Sequence, residues 1–228
     1  MKHTYWVSKI PCAAKVMAIM TVGCLAPLHA ANAESLYAKG DWLLGVNAAK
    51  VFTEESLDSI TAGGAAIPGS EIEITNDITL SFDASYFLSS AVAINFFGGL
   101  PASANLTGAG SLAGMPVGET QYGPAILSLQ YHFATKSSFS PYVGAGIARI
   151  LFLEEDGNAL ANLDLEDAWA PALQIGVRYQ VSQNWFANAD IRYVPFETDL
   201  SGTLGGAPVK GTVSVDPTIL NLGFAYRF

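Results

Sequence analysis

Few residues in this 228-residue chain could perform acid–base or nucleophilic chemistry. Of its three histidines, His132 is the only one beyond the N-terminal 33 residues, and it lies beside a short predicted turn. A nucleophilic site needs a nucleophile and a base within hydrogen-bond reach of each other. One histidine next to a turn is weak support for such a site, so we expect no enzyme activity, no catalytic residue and no cofactor.

Carboxylates form the second group of candidate residues, because hard cations prefer oxygen ligands. They cluster in the segments between the apolar runs, and the clusters are Glu54-Glu55, Asp58, Glu71, Glu73, Glu119, Glu154-Glu155-Asp156, Asp164, Glu166 and Asp167. No D-x-D-x-D-G pattern is present, which argues against a dedicated calcium loop. We expect a solvated acidic surface and no metal site.

The N-terminus has the features of a secretory signal peptide. Lys2, Lys9 and Lys15 precede an apolar run, Val16 to Leu28, which ends near the A-x-A cleavage site Ala31-Asn32-Ala33. We predict a signal peptide over 1–33 and one exported domain over 34–228. Cys24 gives only slight support to a lipoprotein site.

Removal of this segment would change the cysteine count and the charge. Both cysteines, Cys12 and Cys24, lie within it, so disulfide chemistry is not expected in the exported domain. Three of the 11 basic residues and none of the 20 acidic residues lie there, which leaves a net charge of −12. On electrostatic grounds we therefore expect no nucleic-acid partner.

The exported domain reads as a set of alternating strands. In the last segment Leu220, Leu222, Phe224, Tyr226 and Phe228 share one face, and period two over this length indicates a strand. Eight such segments are predicted, at 40–51, 76–87, 91–99, 122–134, 141–152, 169–180, 185–197 and 213–228. Beyond the signal no apolar stretch is long enough for a membrane-spanning helix.

The connections alternate between short and long, as in an up-and-down outer-membrane barrel with both termini on the short-turn side. Glycine-rich composition predicts irregular, mobile long loops, and Leu160 to Asp167 could form a short helix. A soluble lipocalin-like barrel is the alternative, with its apolar face inward. Aromatic residues near the short turns and small residues on the polar face favour the membrane orientation. The predicted fold is all-β, an eight-stranded antiparallel up-and-down transmembrane β-barrel.

With the polar face inward, the lumen divides into two parts. Near the short turns it holds charges that can pair into a polar plug: Asp83, Arg178, Asp190, Arg192 and Arg227. A structural network is the favoured interpretation, and a proton or ion path is the alternative. Near the long loops it is lined by apolar residues, namely Val51, Phe97, Tyr122, Ile150, Phe152, Val194 and Phe196. These could form a pocket for an apolar molecule or simply pack against the loops.

Two segments resemble the outer-membrane protein W (OmpW/AlkL) family: Ser140-Pro-Tyr-Val-Gly-Ala-Gly-Ile147 and Leu165-Glu-Asp-Ala-Trp-Ala170. The resemblance extends over most of 120–228 and includes Tyr226-Arg-Phe228. It implies a barrel in the bacterial outer membrane with a hydrophobic channel that is closed toward the periplasm. It also implies that Trp169 lies at the channel constriction, although strand parity alone would point Trp169 outward.

The resemblance implies passive uptake of small hydrophobic molecules, with lateral release into the membrane through a gap between strands. Because Pro124, Pro171, Pro195 and Pro217 deny ladder hydrogen bonds, a lateral opening could form at these prolines. A structural or surface-interaction barrel, acting as adhesin or receptor, is the alternative. Expected partners are membrane lipid, lipopolysaccharide, a small hydrophobic ligand, and the barrel-assembly machinery through the C-terminal Phe228.

Overall fold

A computed structural model describes residues 35–76, 78–134 and 137–228 as an antiparallel β-structure. The predicted signal peptide, 1–33, lies outside the described residues. The strands, in chain order, are β1 (Trp42–Ala62), β2 (Ala65–Ala66), β3 (Ser70–Asn76), β4 (Ile78–Phe87), β5 (Val92–Gly99), β6 (Ala102–Gly110), β7 (Pro116–His132), β8 (Phe139–Gly157), β9 (Ala161–Leu165), β10 (Ala168–Gln180), β11 (Trp185–Tyr193), β12 (Phe196–Leu204) and β13 (Ala207–Arg227).

Eight of these strands form a closed ring. They follow the order β1-β4-β5-β7-β8-β10-β11-β13, and β13 returns to pair with β1 from Leu43↔Arg227 onward. Closure removes both sheet edges, which a bilayer requires because lipid cannot satisfy free backbone groups. The ring strands correspond to the eight predicted segments, and the predicted barrel is confirmed.

The apolar face of the ring points outward. On β1 and β4, Val46 and Phe82 are 51% and 45% exposed, whereas their neighbours Asn47 and Asp83 are buried. Aromatic rings pair around the short-turn rim, for example Trp42 with Tyr86. This outer surface matches a hydrocarbon band with an interfacial aromatic girdle. Within the described residues, no helix has the length and apolar character to span a membrane.

The predicted irregular loops and the short helix at Leu160 to Asp167 are wrong. Strands β1, β7, β8 and β13 run well beyond the predicted boundaries, and the loop segments form the additional strands β3, β6, β9 and β12. In β9, Leu163 and Leu165 are buried while Asp164 is exposed, the period of a strand. Glycines mark hairpin tips instead: Gly205 and Gly206 have φ of 58° and 89°.

The added strands build an extension beyond the membrane barrel, which we call the extension. It has two sheets, β9-β12-β13-β1 and β3-β6-β7-β8. Each sheet continues ring strands, so the interior of the barrel continues into the extension. Its inward residues are apolar and include Ile72, Leu106, Val117, Leu163, Leu200 and Val209.

Candidate functional site

The lower half of the lumen is filled by a network of buried polar side chains, which we call the polar floor. Its two ion pairs are Asp83–Arg178, at 3.1 Å between Oδ1 and Nη2, and Asp190–Arg192, at 2.9 Å between Oδ1 and Nε. All four residues are buried. Buried charges cost several kcal/mol each unless paired, so the pairing explains how this interior can hold them.

Amide side chains connect the two ion pairs. Asn47 and Asn95 donate to Asp83, and Asn188 and Asn221 donate to Asp190. Arg192 Nη1 donates to Asn95 Oδ1 at 3.2 Å, which joins the pairs into one network.

The space for this network comes from glycines on the inward face. A Cβ atom at Gly45 would lie 2.1 Å from Asp83 Oδ2, and one at Gly176 would lie 2.5 Å from the Tyr142 ring. Larger residues would displace the charged side chains. The glycines thus make room in the wall, and the charged side chains fill the lower lumen. This filled interior is closed to an apolar solute.

Arg227 has the predicted inward parity but lies apart from the polar floor, at the short-turn rim. Its Nη1 donates to the Leu36 carbonyl at 2.6 Å, and Asp41 lies 3.9 Å away. These contacts hold the segment before β1 across the end of the barrel. Tyr37, from that segment, is buried and stacks on Phe87 at 4.1 Å. The end of the lumen is therefore covered by an aromatic plug that the sequence analysis did not anticipate.

His132 lies in the same aromatic cluster and is buried. Its Nδ1 is 3.3 Å from Ser140 Oγ, and its Nε2 is 3.2 Å from Gln130 Oε1. Tyr37, Phe87 and Tyr142 pack around the imidazole. Ser140 is also buried, so this serine–histidine contact has no exposed face for a substrate. No cluster of three or more potential metal ligands occurs among the described side chains.

Above the polar floor the lumen becomes apolar; we call this part the upper lumen. Six of the predicted lining residues are buried in one apolar cluster, with Phe152 packed against it: Val51, Phe97, Tyr122, Ile150, Val194 and Phe196. Phe152 lies 6.1 Å from Tyr122 and 6.4 Å from Phe196 between ring centroids. The strands thus bring these seven residues together.

Phe97 marks the boundary between the two parts of the lumen. The Arg192 guanidinium lies 3.9 Å from the centre of its ring, a cation–π contact. Arg192 faces Asp190 on one side and Phe97 on the other.

Trp169 does not line the channel, contrary to the position implied by the family resemblance. It lies on the outer face with 67% of its surface exposed, and Arg149 packs over its ring at 5.3 Å. The pairing of β10 with β8 is regular from Ala168↔Ile150, so no bulge reverses the alternation. The regular alternation of side chains along β10 therefore points Trp169 outward.

Two cavities occupy the upper lumen. The lower one, with ≈ 30 Å³ of free space, is lined by Phe97, Tyr122, Pro124, Ile150 and Phe196 among others. The upper one, also of ≈ 30 Å³, lies at the base of the extension, and it is lined by residues of both sheets, including Thr53, Ile74, Phe152 and Leu165. Each is apolar, as ligand pockets are, but it has room for only about one or two water molecules in this conformation, so a small ligand requires the lining side chains to move.

Much of the lining of the upper cavity was missed in the sequence, because it belongs to segments taken as loops. Ile74, Leu106 and Leu165 all face it. A signal was present: residues 71–75 alternate polar and apolar side chains, as do residues 102–107. Glycine-rich flanks concealed a pattern that period two would have identified.

The barrel wall is interrupted between β5 and β7. Their ladder ends at Phe97↔Ile126, and pairing resumes only at Ala102↔Tyr122, between β6 and β7. Residues 98–101 thus lie opposite 123–125 without ladder pairs, and we call this the wall gap. Pro101 and Pro124 have no N–H to donate across it.

The wall gap separates an inner cavity from an outer groove. Gly99 and Pro124 line both the lower cavity and a groove on the lipid-facing surface. The groove is also lined by outward apolar residues such as Val46, Phe82 and Phe96. At the wall gap, the lumen and the lipid-facing surface therefore share two lining residues.

A closed eight-stranded ring with an apolar outer face, an aromatic girdle and a polar lower interior defines an outer-membrane β-barrel. The family model described as OmpW family matches residues 38–228. The chain belongs to the OmpW family, and it is located in the outer membrane.

Individual relatives support this assignment. Outer membrane protein AlkL of Ectopseudomonas oleovorans is 47% identical over 193 residues, which is 84% of each chain. The solid-state NMR structure of an outer membrane protein AlkL in DMPC lipid bilayers superposes with a TM-score of 0.70 at 45% identity, covering 89% of this chain and 95% of that one.

Two further relatives come from Pseudomonas aeruginosa. The crystal structure of the outer membrane protein OprG has a TM-score of 0.79 at 25% identity, covering 86% of this chain and 99% of OprG. The dibenzothiophene metabolism operon protein PahQ is 27% identical over 208 residues, 91% of this chain and 98% of PahQ.

Proposed function

We propose that the protein is a passive conduit through which small hydrophobic molecules cross the outer membrane, by way of the upper lumen. The observation that carries this proposal is the change of lining: apolar cavities lie directly above a closed polar floor. A hydrophilic porin would need a continuous aqueous path, which the paired charges and glycines of the floor obstruct. The name of PahQ, which refers to dibenzothiophene metabolism, agrees with an apolar guest.

The wall gap supports lateral release into the membrane. An apolar molecule that reaches the lower cavity would have to desolvate ionic groups to continue through the polar floor, which costs far more than moving sideways into hydrocarbon. Gly99 and Pro124 stand between that cavity and the outer groove. Release through the gap would end at a lipid-facing surface, where an apolar molecule partitions favourably.

The conduit is tested by uptake of a labelled long-chain alkane into cells with and without the protein. We expect Phe152→Asp to lower the protein-dependent rate about tenfold, because a charge in an apolar passage costs a few kcal/mol and ~1.4 kcal/mol corresponds to tenfold. Asn105→Asp, which places the same charge on an exposed position of β6, is the matched control. Equal uptake with and without the protein would reject the conduit and favour a surface-interaction barrel.

Lateral release is tested by filling the wall gap from outside. A Cβ atom at Gly123 would have nothing within 4 Å, and one at Gly98 would meet its nearest atom at 3.8 Å, so leucines fit at both positions. We expect Gly98→Leu with Gly123→Leu to lower uptake several-fold while alkane binding to the purified barrel persists. Ala145→Leu, at an exposed position of β8 nearer the short-turn rim, is the control. Unchanged uptake in the double variant would exclude the gap as the exit.

Partners follow from the same location. Outer-membrane lipid surrounds the barrel, and we propose lipopolysaccharide as the neighbour of the acidic extension. Phe228 is 68% exposed at the end of the last strand, where it would be accessible to the barrel-assembly machinery.

A further inference from the structure

The two sheets of the extension meet along two seams where the backbone ladder is interrupted. One seam lies between β1 and β3, and the other lies between β8 and β9. Within the described residues, β1 pairs with β13, β2 and β4, whereas β3 pairs with β6. The pairing of β1 with β4 ends at Lys50↔Ile78, so β1 continues upward beside β3 without ladder pairs.

Side chains take the place of the ladder at the β1/β3 seam. Thr53 Oγ1 donates to the Ile74 carbonyl at 3.1 Å, and the Ile74 N–H donates to Glu55 Oε1 at 2.6 Å. Two β1 side chains thus bind both backbone groups of a single β3 residue. Because flexible side chains hold this contact, it can break without disrupting either sheet.

The position of the seam gives it access to the membrane surface. Phe52 is 54% exposed on the lipid-facing side, and Glu54, two residues further, is an exposed carboxylate. Lys50 and Glu54 carry outward-facing charges on either side of Phe52, so β1 leaves the hydrocarbon near these residues, and Thr53 and Glu55 are at the level of the outer headgroups. Thr53 and Ile74 also line the upper cavity, so the seam separates that cavity from the exterior.

Closing the seam removes the Glu55 carboxylate from water. Burial raises the pKa of Glu55, and the neighbouring carboxylates Glu73 and Glu54 raise it further, against the hydrogen bonds from Ile74 and Thr53, which lower it. When the seam opens, rehydration of the Glu55 carboxylate therefore offsets part of the free energy that is lost with its hydrogen bond to Ile74.

The β8/β9 seam is more strongly held. Leu165 N–H donates to Glu155 Oε1 at 3.1 Å, and Phe152 N–H donates to Asp167 Oδ1 at 3.0 Å. Asp167 also forms an ion pair with Arg149 at 3.0 Å. Opening here would break that ion pair as well as the backbone contacts.

We propose that hydrophobic molecules enter the upper lumen sideways, through the β1/β3 seam, and that Thr53 and Glu55 are the positioning residues that close it. This inference rests on the proposed conduit function. It assigns the entrance to the headgroup level of the outer leaflet, a polar layer that an apolar molecule crosses only at a cost, so an apolar cavity opening there would give it a favourable path. Wall gap and seam then form the two ends of one route.

The test compares variants that release or lock the seam, with alkane uptake by intact cells as the readout. Thr53→Val with Glu55→Ala removes both bridging side chains and is expected to raise the initial rate about threefold, the effect of losing hydrogen bonds of ordinary strength. Glu55→Gln retains an acceptor for Ile74 and is expected to restore the parent rate. Glu155→Ala, on the other seam, is the matched control and should leave the rate unchanged.

The lock is a disulfide from Thr53→Cys with Ile74→Cys, since Cys12 and Cys24 both lie in the predicted signal peptide. Its formation is measured by thiol titration. Oxidation should reduce uptake several-fold, and a reductant should reverse the effect. If the thiols stay free, the double variant Thr53→Val with Glu55→Ala, which we call the release variant, alone decides whether the seam is the entrance.

The outcomes separate the two proposals. A parent protein that takes up alkane while neither the release nor a formed lock changes the rate overturns the seam as entrance and leaves the conduit standing. A faster release variant together with a slower locked one supports the seam. Absence of uptake by the parent overturns the conduit and the seam together.

Discussion

The lower and upper halves of the lumen share the same eight strands and the same inward parity, yet they have opposite chemistry. Between Phe97 and the aromatic plug the inward positions carry paired ions, amides and glycines; above Phe97 they carry aromatic and aliphatic side chains. The lower half has its polar groups largely hydrogen-bonded to one another, whereas the upper half contains cavities. The comparison teaches that one barrel wall can enclose two kinds of interior. Paired charges fill the lower half, and the upper half, where the inward positions are apolar, retains cavities.

The largest effect is expected where the polar floor loses one member of an ion pair. Arg178→Met leaves Asp83 buried without its cation, and we expect it to destabilise the barrel by about 3–5 kcal/mol. Unfolding by urea in lipid vesicles measures the change. Asp83→Asn combined with Arg178→Met removes both charges and should recover most of the loss. A single variant as stable as the parent would mean that the floor is not held by its ion pairs.

The division of the lumen could be predicted because parity and residue type are local. Asp83, Asp190, Arg178 and Arg192 alternate with apolar neighbours, so their direction followed once lipid was assigned to the apolar face. Partners were less predictable: Arg178 pairs with Asp83, 95 residues away in sequence. Ring closure sets such contacts, and one strand carries no information about them.

Two other features depended on information that strand patterns do not contain. Arg227 shares the inward parity of the polar floor, but it binds Leu36 because the N-terminal segment crosses the rim. The extension was hidden by glycines that read as loop residues and in fact occupy hairpin turns, as Gly205 and Gly206 do. The wall gap needs the registers of β5 and β6 against β7, which only the assembled sheet provides.

A second difference between the halves is how tightly they are packed, and glycine substitutions measure it. Gly176→Ala places a Cβ atom 2.5 Å from the Tyr142 ring and 2.7 Å from Asp190, so we expect a loss of about 1–3 kcal/mol in unfolding free energy. Gly123→Ala, at the wall gap, meets nothing within 4 Å and should be close to neutral. Equal losses at both positions would show that packing does not distinguish floor from gap.

The smallest effect is expected at the boundary itself. Phe97→Leu keeps an apolar side chain between the two halves and removes the aromatic face beneath Arg192, which lies 3.9 Å from the ring centre. A buried cation–π contact contributes up to about 2 kcal/mol, so we expect a loss of about 1–2 kcal/mol by the same urea titration. Phe96→Leu is the matched control, because the adjacent Phe96 faces lipid with 53% of its surface exposed and should change little. If both leucine variants lose the same amount, Phe97 is ordinary packing, and the boundary depends on the Asp190–Arg192 pair instead.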